Sequence, residues 1–128
     1  MALVYFDKFM ERTGVRNFGD DINPALMSRF INKDILSSDE VALFGVGTIL
    51  NDKNIKSNNH YARKVIFSSG VGYGKLETKL DDTWDVACVR GPGSAKALGV
   101  GPDRAIADGA ILLSELYAKP TKKCSRAV

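Results

Sequence analysis

One recurring arrangement constrains this chain more than any other feature: a short apolar run that ends in a glycine-bearing turn. Residues 41–44 run into Gly45-Val46-Gly47-Thr48, residues 64–67 into Ser68-Ser69-Gly70-Val71-Gly72-Tyr73-Gly74, and residues 86–89 into Arg90-Gly91-Pro92-Gly93-Ser94. Runs of this length bounded by turn residues read as buried strands rather than helices. Residues 3–6 and 105–107 add two further candidate strands. Helix-like segments or long connections separate them, and such crossovers build a mainly parallel sheet with helices on both faces. The expected fold class is therefore α/β and Rossmann-like.

Two helices are legible. Ile22, Ala25, Leu26, Met27, Phe30 and Ile31 are spaced to share one face, with Asp21 placed to cap the helix and Pro24 near its start. The second covers 93–98, with Pro92 near its start and Gly99 at its end. The polar stretch 51–59 reads as a surface loop.

Size and charge narrow the function. The 128 residues suit one domain, expected at 1–115, followed by a carboxyl-terminal tail, 116–128, that carries Lys119, Lys122, Lys123 and Arg126. Lys and Arg total 18 against 15 Asp and Glu, for a net charge of +3, and outside the tail the basic residues scatter among acids. No nucleic acid partner is expected, because such binding rests on clustered phosphate contacts. Cys88 and Cys124 lack any metal-binding spacing and suit free thiols in a reducing compartment, so the expected location is cytoplasmic. No run approaches the ~20 apolar residues of a membrane span, and the amino terminus lacks the pattern of a signal peptide.

The carboxyl ends of parallel strands are where open α/β sheets bind ligands, so three glycine turns there suggest a shared rim, although any one of them can be simply a tight turn. Nucleotide motifs fail. Gly45-Val46-Gly47-Thr48-Ile49-Leu50 lacks the third glycine of GxGxxG, and in the stretch from Gly70 to Lys75 the glycine spacing is short and Leu76 stands where a phosphate loop has Ser or Thr. Arg90, between a strand and a helix start, suits either an anion or a neighbouring Asp. Asp20 and Asp21 are adjacent carboxylates whose repulsion can raise the pKa of one towards general acid or base work; the other reading is that they complement a helix dipole. His60, the only histidine, sits in a polar loop and reads as a surface residue. Tyr73 is placed either to stack on a sugar ring or to pack.

Taken in order, Asn17-Phe18-Gly19-Asp20-Asp21-Ile22-Asn23-Pro24, the stretch from Phe44 to Asp52, Ser69-Gly70-Val71-Gly72-Tyr73-Gly74, Trp84-Asp85 and Val89-Arg90-Gly91-Pro92 resemble the polysaccharide pyruvyltransferase family, in its exopolysaccharide ketal-forming, ExoV-like branch. The chain departs from that pattern at Gly93 and at Asp108-Gly109-Ala110, where the family usually has Asp-Pro-Ala. The resemblance implies one amino-terminal half of a two-domain GT-B-like architecture. The implied reaction moves pyruvate from phosphoenolpyruvate, the donor substrate, onto two hydroxyls of a sugar as a ketal, with no metal or other cofactor.

On that resemblance Asp20 and Asp21 are the catalytic candidates on the acceptor side and Asn17 hydrogen-bonds sugar. Gly45, Gly47, Gly70 and Gly72 shape the floor, Tyr73 borders it, and Arg90 grips the donor. The acceptor is a sugar or lipid-linked oligosaccharide, in the cytoplasm or at the inner face of the membrane. Family members carry a second half of similar size, so the expected partner is that half or a second copy of the chain. The alternative is a non-catalytic sugar-binding or assembly module.

Overall fold

Five strands form one parallel sheet in the computed structural model, which describes residues 1–5, 13–32, 34, 39–72, 74–119 and 121. β1 (Ala2–Val4) pairs with β2 (Val41–Phe44), β2 with the first half of β4 (Arg63–Val71), and β4 with β5 (Trp84–Val89). β3 (Gly47–Leu50) pairs with the second half of β4. Register explains what β3 is. Phe44 opposes Ile66 and Gly47 opposes Ser69, so one offset carries across the gap, and Ser69 also pairs with Val89 of β5. β3 therefore lies on the β2 side of β4, and β2 and β3 are a single strand line broken at Gly45-Val46.

Alternation sorts the side chains onto two faces. Ala42, Phe44, Ile66 and Val89 point to one, where α3 (Pro92–Leu98) contributes Ala95 and Leu98. Leu43, Val65 and Phe67 point to the other, where α1 (Phe18–Phe30) contributes Ile22, Leu26 and Met27. Leu112, Leu113 and Leu116, from a 3-10 turn (Gly109–Leu112) and α4 (Leu113–Leu116), close that second face. The α/β, Rossmann-like expectation holds: a parallel sheet with helices on both faces.

Several local expectations are corrected. Asn17, not Asp21, caps α1: its side chain accepts from the Gly19 N–H at 3.0 Å, so the helix starts earlier and Pro24 lies inside it. Ala25 and Phe30 are exposed, and Asn23 takes a place in the buried stripe. The stretch 51–59 contains α2 (Asp52–Ser57), capped by Asn51, whose side chain accepts from the Asn54 N–H; Ile55 is its buried anchor. β4 continues past Phe67 through Ser68, a residue at φ 64°, because the pairing with β5 shifts register there. Residues 105–107 make a single bridge, Ala105 to Val89, and Ile106 is exposed. The 3-10 turns Pro102–Arg104 and Gly109–Leu112 flank this segment on either side.

Candidate functional site

The broken strand line creates the site, and a buried asparagine holds the break. Interrupting a strand strands backbone groups that must find partners once buried. Asn23 is fully buried; its Oδ1 accepts from the Val46 N–H at 2.7 Å and its Nδ2 donates to the Val46 carbonyl at 2.9 Å. The same Nδ2 reaches the Asp20 carbonyl at 3.1 Å, which Pro24, four residues on, has no N–H to satisfy. Ser69 Oγ lies 2.9 Å from the Phe44 carbonyl and 2.5 Å from that of Gly45. Gly45 has no side chain because Asn23 Oδ1 occupies the place of its Cβ.

Beyond the break, at the carboxyl edge of the sheet, lies a cleft of about 590 Å³. The start of α1 contributes Asn17 and Asp20, β3 contributes Gly47 and Thr48, and α2 contributes Lys53 and Asn54. Arg90 follows β5, and Asp108 precedes the 3-10 turn. Gly47 adopts φ 143°, a conformation closed to other residues without strain, with the Asp20 carboxylate beyond it.

Two charged groups dominate the cleft. Burial, and then the neighbouring charge of Asp21, push the Asp20 carboxyl above its ordinary pKa, the direction that suits a proton donor. Arg90 Nη1 donates to Thr48 Oγ1 at 2.7 Å, and Nε stands 2.8 Å from Asp108 Oδ2. The Nε–H is not aimed at that oxygen, so the contact is an ion pair and not a directed hydrogen bond. Of the two partners open to Arg90 in the sequence, an anion or a nearby Asp, the structure contains the second. Lys53 is exposed at the cleft wall and has no ion-pair partner among the described residues.

The remaining candidates divide. Asn17, Asp20, Gly47 and Arg90 come together in the cleft. Asp21 does not line it; it is exposed and pairs with Arg16 at 3.6 Å. Gly45 backs onto Asn23, Gly70 lies under the Arg90 side chain, and Gly72 packs on Thr48. Gly70 and Gly72 thus support cleft residues from behind, and Gly45 makes room for the brace. Tyr73 lies outside the described residues, and His60 is exposed in a stack with Tyr61, not among the cleft-lining residues.

Sequence reasoning passed over Thr48, Lys53, Asn54 and Asp108 as cleft residues and Asn23 as the brace. Asn23 and Asp108 both carried a signal, a polar residue beside a proline or glycine where the chain must turn. Asp52, nearby, accepts from the Thr78 and Glu77 N–H groups, which hold its carboxyl below the ordinary range and fasten residues 77 and 78 to α2. Among the described residues no cluster of three or more His, Cys, Asp and Glu side chains gathers for a metal, and no helix is long and apolar enough to cross a membrane.

No family model and no solved structure matches the chain. At the sequence level it is similar to the Succinoglycan biosynthesis protein ExoV of Rhizobium meliloti (strain 1021), 38% identical over 101 residues, which are 78% of this chain and 31% of that protein. The chain thus spans about a third of the length of the curated relative it matches, and the ExoV-like resemblance read from its ordered motifs is borne out.

Proposed function

We propose that this chain forms one wall of the active cleft of an exopolysaccharide-biosynthesis pyruvyltransferase, which adds pyruvate from phosphoenolpyruvate to two sugar hydroxyls as a ketal. The observation that carries the reading is that one cleft at the sheet's carboxyl edge is lined by both a carboxyl whose pKa burial raises, Asp20, and a guanidinium, Arg90. The similarity to a succinoglycan biosynthesis protein supports the exopolysaccharide setting.

In this reading Arg90 holds the phosphate or carboxylate of the donor. Asp20 gives a proton to the methylene carbon of phosphoenolpyruvate, which places positive charge on the adjacent carbon. A sugar hydroxyl adds there and loses its proton to the newly formed Asp20 carboxylate. Phosphate then leaves with its bridging oxygen, and the second hydroxyl closes the ketal as its proton passes to the departing phosphate. Ionised carboxylates along the cleft stabilise the cationic carbon. Asn17 has an amide to offer a sugar hydroxyl.

In this reading another segment or subunit supplies the opposite wall of the cleft, which the match to about a third of a longer relative supports. Val15, Phe18, Ile106, Ile111 and Tyr117 are large apolar residues left exposed, which in this reading the partner covers. The same observation favours a second reading, a sugar-binding or assembly module without catalysis of its own.

Calorimetric titration of phosphoenolpyruvate into the chain and into Arg90→Ala tests the proposal. Binding that weakens at least about tenfold in the variant supports a donor site on this wall. Binding indifferent to Arg90, or none, removes it and leaves the module reading.

A further inference from the structure

Arg90 is already engaged by one of the chain's own carboxylates, and the way that carboxylate is held suggests what it selects. Asp108 Oδ1 accepts from the Ala110 N–H at 3.0 Å, capping the 3-10 turn, which leaves Oδ2 to face Arg90. The turn is wedged: Gly109 is buried, and a Cβ on it would stand 2.5 Å from Val46 Cγ2 and 3.1 Å from Ser68 Cβ. Asp108 is thereby fixed opposite Arg90. The pair nevertheless remains open to the cleft, with side-chain exposures of 35% for Arg90 and 44% for Asp108. Arg90 makes one directed side-chain hydrogen bond, to Thr48, and its Nε is buried against Asp108, so the donors left for an incoming ligand are the remaining N–H groups of Nη1 and Nη2.

We propose that Asp108 is a tethered competitor for Arg90 that makes this corner selective for a dianionic phosphoryl group over a lone carboxylate. The inference rests on Arg90 being the donor-anion residue. An incoming monocarboxylate would replace Asp108 with a group of the same charge and geometry, and would do so against a competitor whose effective concentration is on the order of millimolar or above. Such an exchange gains almost nothing. A phosphate dianion brings about twice the charge and three acceptor oxygens to a guanidinium fork, so it displaces Asp108 with a net gain. In a reaction whose donor carries both groups, this corner would take the phosphate end and leave the carboxylate end to another cation, for which Lys53 is placed on the same cleft.

The test is calorimetric titration of inorganic phosphate and of acetate into the chain, Asp108→Asn and the double variant Asp108→Asn/Arg90→Ala. Asn keeps the capping oxygen and removes the charge. The expected result is phosphate binding about tenfold tighter in Asp108→Asn, acetate binding that is undetectable in the parent and measurable in the variant, and loss of both in the double variant. A variant that merely misfolds loses binding, the opposite sign. Asp108→Ser, which also keeps a capping oxygen, is expected to repeat the gain.

Absence of a gain in both single variants, or acetate bound by the parent as tightly as phosphate, overturns the proposal. Phosphoenolpyruvate binding that depends on Arg90, without a gain in Asp108→Asn, removes only the role of Asp108. A gain in Asp108→Asn without phosphoenolpyruvate binding removes only the donor reading.

Discussion

Two polar clusters sit at the same edge of the sheet and are built for different ends. At the break between β2 and β3, Asn23 and Ser69 are fully buried and bonded to backbone groups of Phe44, Gly45 and Val46. In the cleft itself, Arg90 and Asp108 are partly exposed, and one of their contacts is an ion pair without a directed hydrogen bond. The first arrangement has no capacity left for a ligand; the second does. A buried polar group with every partner supplied by its own chain shapes a site, whereas a charged pair that solvent can reach is free to exchange partners.

The sharpest way to break this comparison is Asn23→Ala, which leaves the Val46 N–H and carbonyl without partners in a buried site. Unfolding in urea is expected to show a loss of about 3–4 kcal/mol. A loss under about 1 kcal/mol would mean that the break does not depend on Asn23. Gly109→Ala is next: crowding against Val46 and Ser68 is expected to lower stability by about 2 kcal/mol in the same assay, and an unchanged midpoint would show that the turn gives way freely.

Arg90→Ala is expected to cost less than about 1 kcal/mol of stability, since its ion pair is partly exposed, while weakening donor binding at least tenfold, or about 1.4 kcal/mol. Large destabilisation with unchanged binding would move Arg90 into the structural class. The smallest effect is expected from Asp20→Asn. Because folding raises the Asp20 pKa, chiefly through burial, the protonated carboxyl favours the folded state and the ionised one opposes it. That contribution is full below the unfolded value of about 3.9 and is lost as pH rises through the folded pKa. Asp20→Asn is therefore expected to melt slightly higher than the parent near pH 7, with the advantage fading as pH falls towards about 4. A variant that melts lower at pH 7 would show that the charge at the helix start stabilises the fold.

How much of this was legible in the residues varies by element. α3 was readable almost to its boundaries because Pro92 and Gly99 mark both ends, and Gly99 adopts the left-handed conformation that terminates the helix. α1 was readable as a helix but misplaced at its start, since Asn17, Asp20 and Asp21 are all able caps and only the chain's path selects one. β3 was hidden because Gly45-Val46-Gly47 carries the signature of a turn. It is a turn that resumes the same strand line, and nothing local distinguishes that from a turn that ends it.

The candidate site shows the same division. Asn17, Asp20, Gly47 and Arg90 were marked by their places beside strand ends and helix starts, and all four line the cleft. Thr48 and Asp108 became part of it only through contacts that span 42 residues in one case and join separate turns in the other.

The sequence alone determined the alternation of strands and helices, the parallel sheet and the edge where its glycine turns gather, because periodicity, proline and glycine act over a few residues. The tertiary structure decided which polar residues are braces and which are free to meet a ligand. That distinction depends on burial and on partners far away in the chain, and a side chain such as Asn23 or Arg90 carries neither in its own neighbourhood.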